Sequence, residues 1–142
     1  MGQQQIQAVE ADALSQQRLD EVIQQYAASV RAKHSVTRQE TIHLYLRDVQ
    51  GFGRWCIHQY GASFKMSDLN VGVMNRYRQW CRTRVSAGTF NRRRSALIAF
   101  CEWIKGQGGV GDNPAHAMAG AKWRNGDAND SKARHRRTNR SR

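Results

Sequence analysis

The sequence predicts an all-α domain, a compact bundle of four main helices plus a short fifth with no sheet. Three observations predict it. Apolar residues recur at helical spacing in four successive stretches, so each stretch forms a helix with one buried face. The connections between them are short, which favours packing of consecutive helices against one another. Hydrophobic residues make up 39% of the 142-residue chain and there is a single proline, a composition ordinary for one helical globule.

Residues 1–17 are polar and glutamine-rich and read as a lead-in, either frayed helix or disordered. The helical domain is expected over 18–122, with its bundle running from about Arg18 to Met118. Leu19, Val22, Ile23, Tyr26, Ala27 and Val30 give the first helix, over Arg18 to Lys33, an apolar face whose neighbouring charges nearly cancel. Thr37-Arg38-Gln39-Glu40 has the pattern of a capping box, which starts a second helix near Arg38. Its buried stripe is Ile42, Tyr45, Leu46, Val49, Phe52, Gly53 and Cys56. The opposite side carries His43, Arg47, Gln50, Arg54 and His58. Gly61-Ala62-Ser63 breaks that helix, and Ser67-Asp68-Leu69 is expected to start a third, packed through Leu69, Val73, Met74, Tyr77, Trp80 and Cys81.

The fourth helix is the element that meets a ligand. Ser86 or Thr89 can cap its first turn by accepting from a backbone N–H that lacks a helical partner. Phe90, Leu97, Phe100, Cys101 and Ile104 fall on one side of the helical wheel; Asn91, Arg92, Ser95 and Ala99 fall opposite, free to touch. The run Arg92-Arg93-Arg94 adds its charge to the positive end of the helix dipole, an arrangement that holds phosphate oxygens. Taken alone such a run is a solvated helix end. Arg94 lies near the edge of the apolar stripe, so its stem is expected along the core with its head outward. The glycine-rich GQGGVG after this helix lacks the lysine and the preceding strand of a phosphate loop, and reads as a helix stop and turn. Asn113-Pro114-Ala115 starts the short fifth helix through Met118. Residues 123–142 end in KARHRRTNRSR and read as a basic disordered tail that adds nonspecific affinity.

Charge narrows the function. The net charge of +12 and pI near 10.6 point first to nucleic acid and second to an anionic membrane surface. The excess is local, because Arg76 to Lys105 holds eight basic residues against Glu102 alone. No stretch approaches the length of a membrane span, and the N-terminus lacks the charged-then-apolar order of an export signal. A cytoplasmic, nucleoid-associated location is expected. Met1-Gly2 opens like a myristoylation signal, but Ile6 stands where serine or threonine is wanted. Cys56, Cys81 and Cys101 read as reduced, buried thiols. Neither they nor the five scattered histidines have the spacing of a metal site, and no cofactor or small-molecule substrate is expected. His43 and His58 have no nucleophile or carboxylate partner suggested by spacing, so neither reads as a catalyst.

The order of these features resembles a family. The first amphipathic helix is followed by Thr37 with Tyr45, Phe52 and Trp55, then by Ser67-Asp68-Leu69 with Tyr77. Next come Thr89-Phe90-Asn91-Arg92-Arg93 with Ser95-Ala96-Leu97, Phe100 and Trp103, and then Asn113-Pro114-Ala115. Over roughly Arg18 to Lys122 this set is similar to the N-terminal core-binding, SAM-like domain of tyrosine recombinases and phage integrases. The resemblance implies a helical bundle that forms half of a C-shaped clamp around double-stranded DNA, with other recombinase protomers as further partners. Carried over by position, it nominates Arg47 and Arg54 on the second helix and Thr89, Asn91, Arg92 and Arg93 on the fourth. Arg94, nominated by charge, departs from the family, which has an aliphatic residue there. The family's catalytic domain has no counterpart within this length, so strand cleavage is not expected of this chain. Two other classes compete: a helical DNA- or RNA-binding regulator, and an interaction module that uses exposed Leu44 and Trp55.

Overall fold

The computed structural model describes residues 14–33 and 39–123. Four long helices form the bundle: α1 (Leu19–Lys33), α2 (Gln39–Tyr60), α3 (Val71–Arg82) and α4 (Ala87–Gly106). Short 3₁₀ helices lie at Met66–Asp68 and Pro114–Ala117, the latter being the expected short fifth helix. Among the described residues there is no strand; one antiparallel bridge joins Arg18 to Lys65. The all-α bundle predicted from the apolar stripes is therefore the fold observed.

One core runs through all four helices. Leu19, Val22, Val49, Phe52, Met74, Phe90, Leu97, Phe100 and Ile104 are completely buried or nearly so. At about 1.5–3 kcal/mol for each large apolar side chain removed from water, this set is the main favourable contribution to folding. Tyr26 of α1 meets Phe100 of α4 edge to face at 5.1 Å, and Phe52 of α2 meets Tyr77 of α3 at 4.9 Å. Helices α1 and α2 approach closely at Gly53, where a Cβ would stand 2.6 Å from Cδ1 of Ile23. The three cysteines are free and buried. Burial pushes the Cys101 thiol up to about 12, so it stays protonated at neutral pH.

Helix boundaries follow local capping. Ser86 caps α4, its Oγ accepting from the Thr89 amide at 3.1 Å, which decides between the two caps that the sequence allowed. Asn113 caps the last turn by accepting from Ala115 at 3.0 Å. The third helix starts later than expected. Asn70 is its cap, accepting from the Val73 amide at 3.0 Å, whereas Ser67-Asp68 lies in the 3₁₀ turn, where the Asp68 carboxylate accepts from the Lys65 amide at 2.9 Å. Both Asp68 and Asn70 can cap, and only Asn70 precedes the apolar periodicity of α3 directly. The capping box begun at Thr37 lies outside the described residues.

Packing also extends beyond the expected ends of the domain. Leu14 is buried against the α4 C-terminus, where Gly109 leaves the space: a Cβ there would stand 2.8 Å from Leu14 and 2.7 Å from Ile104. At the other end Trp123 packs on Phe90 at 5.1 Å and donates to the Val85 carbonyl at 2.9 Å. Leu97→Ala is expected to lower the unfolding free energy by about 2–5 kcal/mol, read as a shift of the urea midpoint. A near-neutral result would mean that this position relaxes into the cavity.

Candidate nucleic-acid interface

Seven residues of α2, namely Leu44, Arg47, Asp48, Gly51, Arg54, Trp55 and His58, recur three or four apart and therefore share one helical face. That face forms one wall of an open groove of about 960 Å³. Tyr77 and Trp80 of α3, Arg84 just past its end, and Arg92 and Arg93 of α4 complete it. Five arginines thus surround one carboxylate, Asp48.

The floor is aromatic. Trp55 meets Tyr77 at 5.2 Å and Tyr77 stacks on Trp80 at 5.9 Å. Trp55 is only 7% exposed, so the exposed Leu44–Trp55 pair of the interaction-module reading is corrected: Leu44 alone is exposed. Packing among Phe52, Tyr60, Tyr77 and Trp80 turns the indole inward although its position borders the polar face.

The arginines differ in what holds them. Arg47 and Arg54 are exposed and make no ion pair among the described residues. Arg84 lies over the Trp80 ring at 4.7 Å and donates to the Trp80 carbonyl at 3.1 Å. Arg92 is bound to Asp48 by two parallel hydrogen bonds, Nε to Oδ2 at 2.8 Å and Nη2 to Oδ1 at 3.0 Å. Arg93 is half-buried, with Nη1 3.9 Å from Cys81 Sγ and a buried Nε without a partner among the described residues. Burial raises the Cys81 thiol from its ordinary value, and the nearby Tyr77 and Arg93 oppose that shift.

Of the residues nominated from sequence, Arg47, Arg54, Arg92 and Arg93 come together in this groove. Thr89, Asn91 and Arg94 do not line it. The Thr89 hydroxyl accepts from Ser86 at 3.0 Å. Asn91, expected on a free face, holds the backbone of Ala121 with both ends of its amide, Nδ2 to the carbonyl at 3.1 Å and Oδ1 from the N–H at 2.7 Å. Arg94, expected to point outward, donates through Nε to the Met118 carbonyl at 2.6 Å. Arg78 binds the carbonyls of Ala119 and Gly120 at 3.0 and 3.3 Å. Three polar side chains of α3 and α4 therefore clamp the strap 118–121, a use of charge that no local pattern announces.

The eight basic residues between Arg76 and Lys105 are accordingly divided. Arg76 lies elsewhere, donating to the Tyr60 hydroxyl at 2.9 Å. Sequence reasoning missed Arg84, His58 and Trp80 as groove residues. The spacing of Arg47, Arg54 and His58 on one face of α2 was the signal available for the histidine. Among the described residues no cluster of metal-ligating side chains occurs, and no helix is long and apolar enough to cross a membrane. Comparison with family models, with curated proteins and with solved structures gives no match.

Asn91→Ala removes two hydrogen bonds and strands the backbone of buried Ala121. It is expected to lower stability by about 1–3 kcal/mol, measured by urea unfolding. An unchanged midpoint would show that water replaces the amide.

Proposed function

We propose that the groove binds double-stranded DNA, as the core-binding half of a tyrosine recombinase or integrase. The observation that carries this reading is the convergence of Arg47, Arg54, Arg84, Arg92 and Arg93, drawn from three parts of the chain, around one open groove with a single carboxylate. Arginines far apart in sequence gain nothing for folding by crowding together, since like charges repel at that range. A polyanion reverses that sign and releases its own counterions. Exposed Arg47 and Arg54 suit phosphate oxygens, and the rigid helices beneath them fix their spacing.

In this reading the chain binds without cutting. Tyr26 and Tyr77 are buried, and burial raises both phenols from their ordinary values, the wrong direction for a nucleophile. Other recombinase protomers on the same duplex, and a nucleoid location, go with the reading. The competing interaction module has lost Trp55 from its surface.

The test is duplex binding across about 50–200 mM salt for the wild type, for Arg47→Ala/Arg54→Ala, and for the chain ending before Asn125. The double variant should weaken all sequences alike and reduce the log–log salt slope by roughly two, near 0.9 per phosphate. If removal of the tail abolishes binding while the double variant behaves as wild type, the groove is not the interface.

A further inference from the structure

Arg92 differs from its groove neighbours in a way that bears on what it reads. Its guanidinium has five N–H donors in one plane, and Asp48 accepts from the side edge, Nε and Nη2. The end-on edge, Nη1 with the second N–H of Nη2, has no hydrogen-bond partner among the described residues, and 40% of the side chain is exposed to the groove. Asp48 is 7% exposed. A buried carboxylate with two parallel bonds fixes the guanidinium plane far more tightly than solvent would.

The pair is electrically neutral. Arg47 and Arg54, without such a partner, carry full charge for phosphate; Arg92 contributes little net charge and therefore little counterion release. What it retains is direction: a planar, two-donor fork held by two long helices. That fork matches the O6 and N7 acceptors of guanine in the major groove.

Resting on the DNA reading above, we propose that Arg92 determines sequence specificity by reading a guanine edge, with Asp48 as its positioning residue. A fork of this kind also fits a phosphate, and an ion pair between α2 and α4 also fits a purely structural staple, so the experiment must separate all three. The wild type and its variants are measured against a set of duplexes that differ at single base pairs around the preferred site, each over a range of salt, with circular dichroism as the control for folding.

The charge-conserving double variant Asp48→Asn/Arg92→Gln should lose a roughly 5- to 150-fold discrimination at one G·C position and keep the wild-type salt slope. Asp48→Asn alone should lose preference at that same position although it makes the groove more positive. Arg92→Lys keeps the charge and should do likewise, which covers the case of a double variant that fails to fold. Arg47→Ala should instead lower the slope by about 0.9 and keep the base preference. The proposal is overturned if the double variant and Arg92→Lys rank the duplexes as the wild type does, which makes the pair a staple. It is equally overturned if the double variant lowers the slope with no base effect, which makes Arg92 a phosphate contact, or if the wild type has no base preference. Loss of every Arg47 and Arg54 effect would instead bring down the DNA reading of the groove itself.

Discussion

Helix α4 is enclosed on several sides, and the fold depends on how it satisfies them. Its apolar residues Phe90, Ala96, Leu97, Phe100, Cys101 and Ile104 are all buried. Successive residues on a helix are about 100° apart, so Asn91-Arg92-Arg93-Arg94 sweeps the whole circumference. The four serve three uses. Asn91 and Arg94 hold the strap, Arg92 reaches Asp48 of α2, and Arg93 reaches Cys81 of α3. A central helix can carry so polar a turn because each of these side chains reaches at least one polar or sulfur partner on a neighbouring element.

That enclosure explains what the sequence disclosed and what it hid. The apolar stripes of α1, α2 and α3 were legible because each of those helices has one wet side and one dry side; Leu19 to Ala27 and Val73 to Cys81 are buried as their periodicity requires. The stripe of α4 was legible too. Its polar side was not, because periodicity distinguishes apolar from polar and is blind to whether a polar group meets water or a carbonyl. Asn91 and Arg94 read as free side chains for that reason, although both bind the backbone of the strap. The start of α3 was missed on a smaller scale, since Asp68 and Asn70 are chemically alike as caps and differ only in the residues C-terminal to each.

The groove was half legible. The basic face of α2 follows from spacing, and Arg47 and Arg54 stand where that spacing puts them. Local charge density misled elsewhere: of the basic interval from Arg76 to Lys105, Arg76, Arg78 and Arg94 serve the internal structure, and Arg84, Arg92 and Arg93 line the groove. Basic side chains in a folded protein are divided between solvent, ligand and backbone carbonyls. Only tertiary contacts make that division.

Occupation of the α2–α3–α4 groove by duplex DNA is the step on which the functional reading turns. The chain has four tryptophans, and they report on different places: Trp55 and Trp80 line the groove, while Trp103 packs against Tyr26 and Trp123 against Phe90. Titrating ¹⁵N-labelled protein with duplex DNA and following the indole N–H signals reads the binding site directly. With DNA in the groove, Trp80 and Trp55 shift with the titration and Trp103 does not. Shifts at Trp103 with the groove indoles unmoved would contradict it.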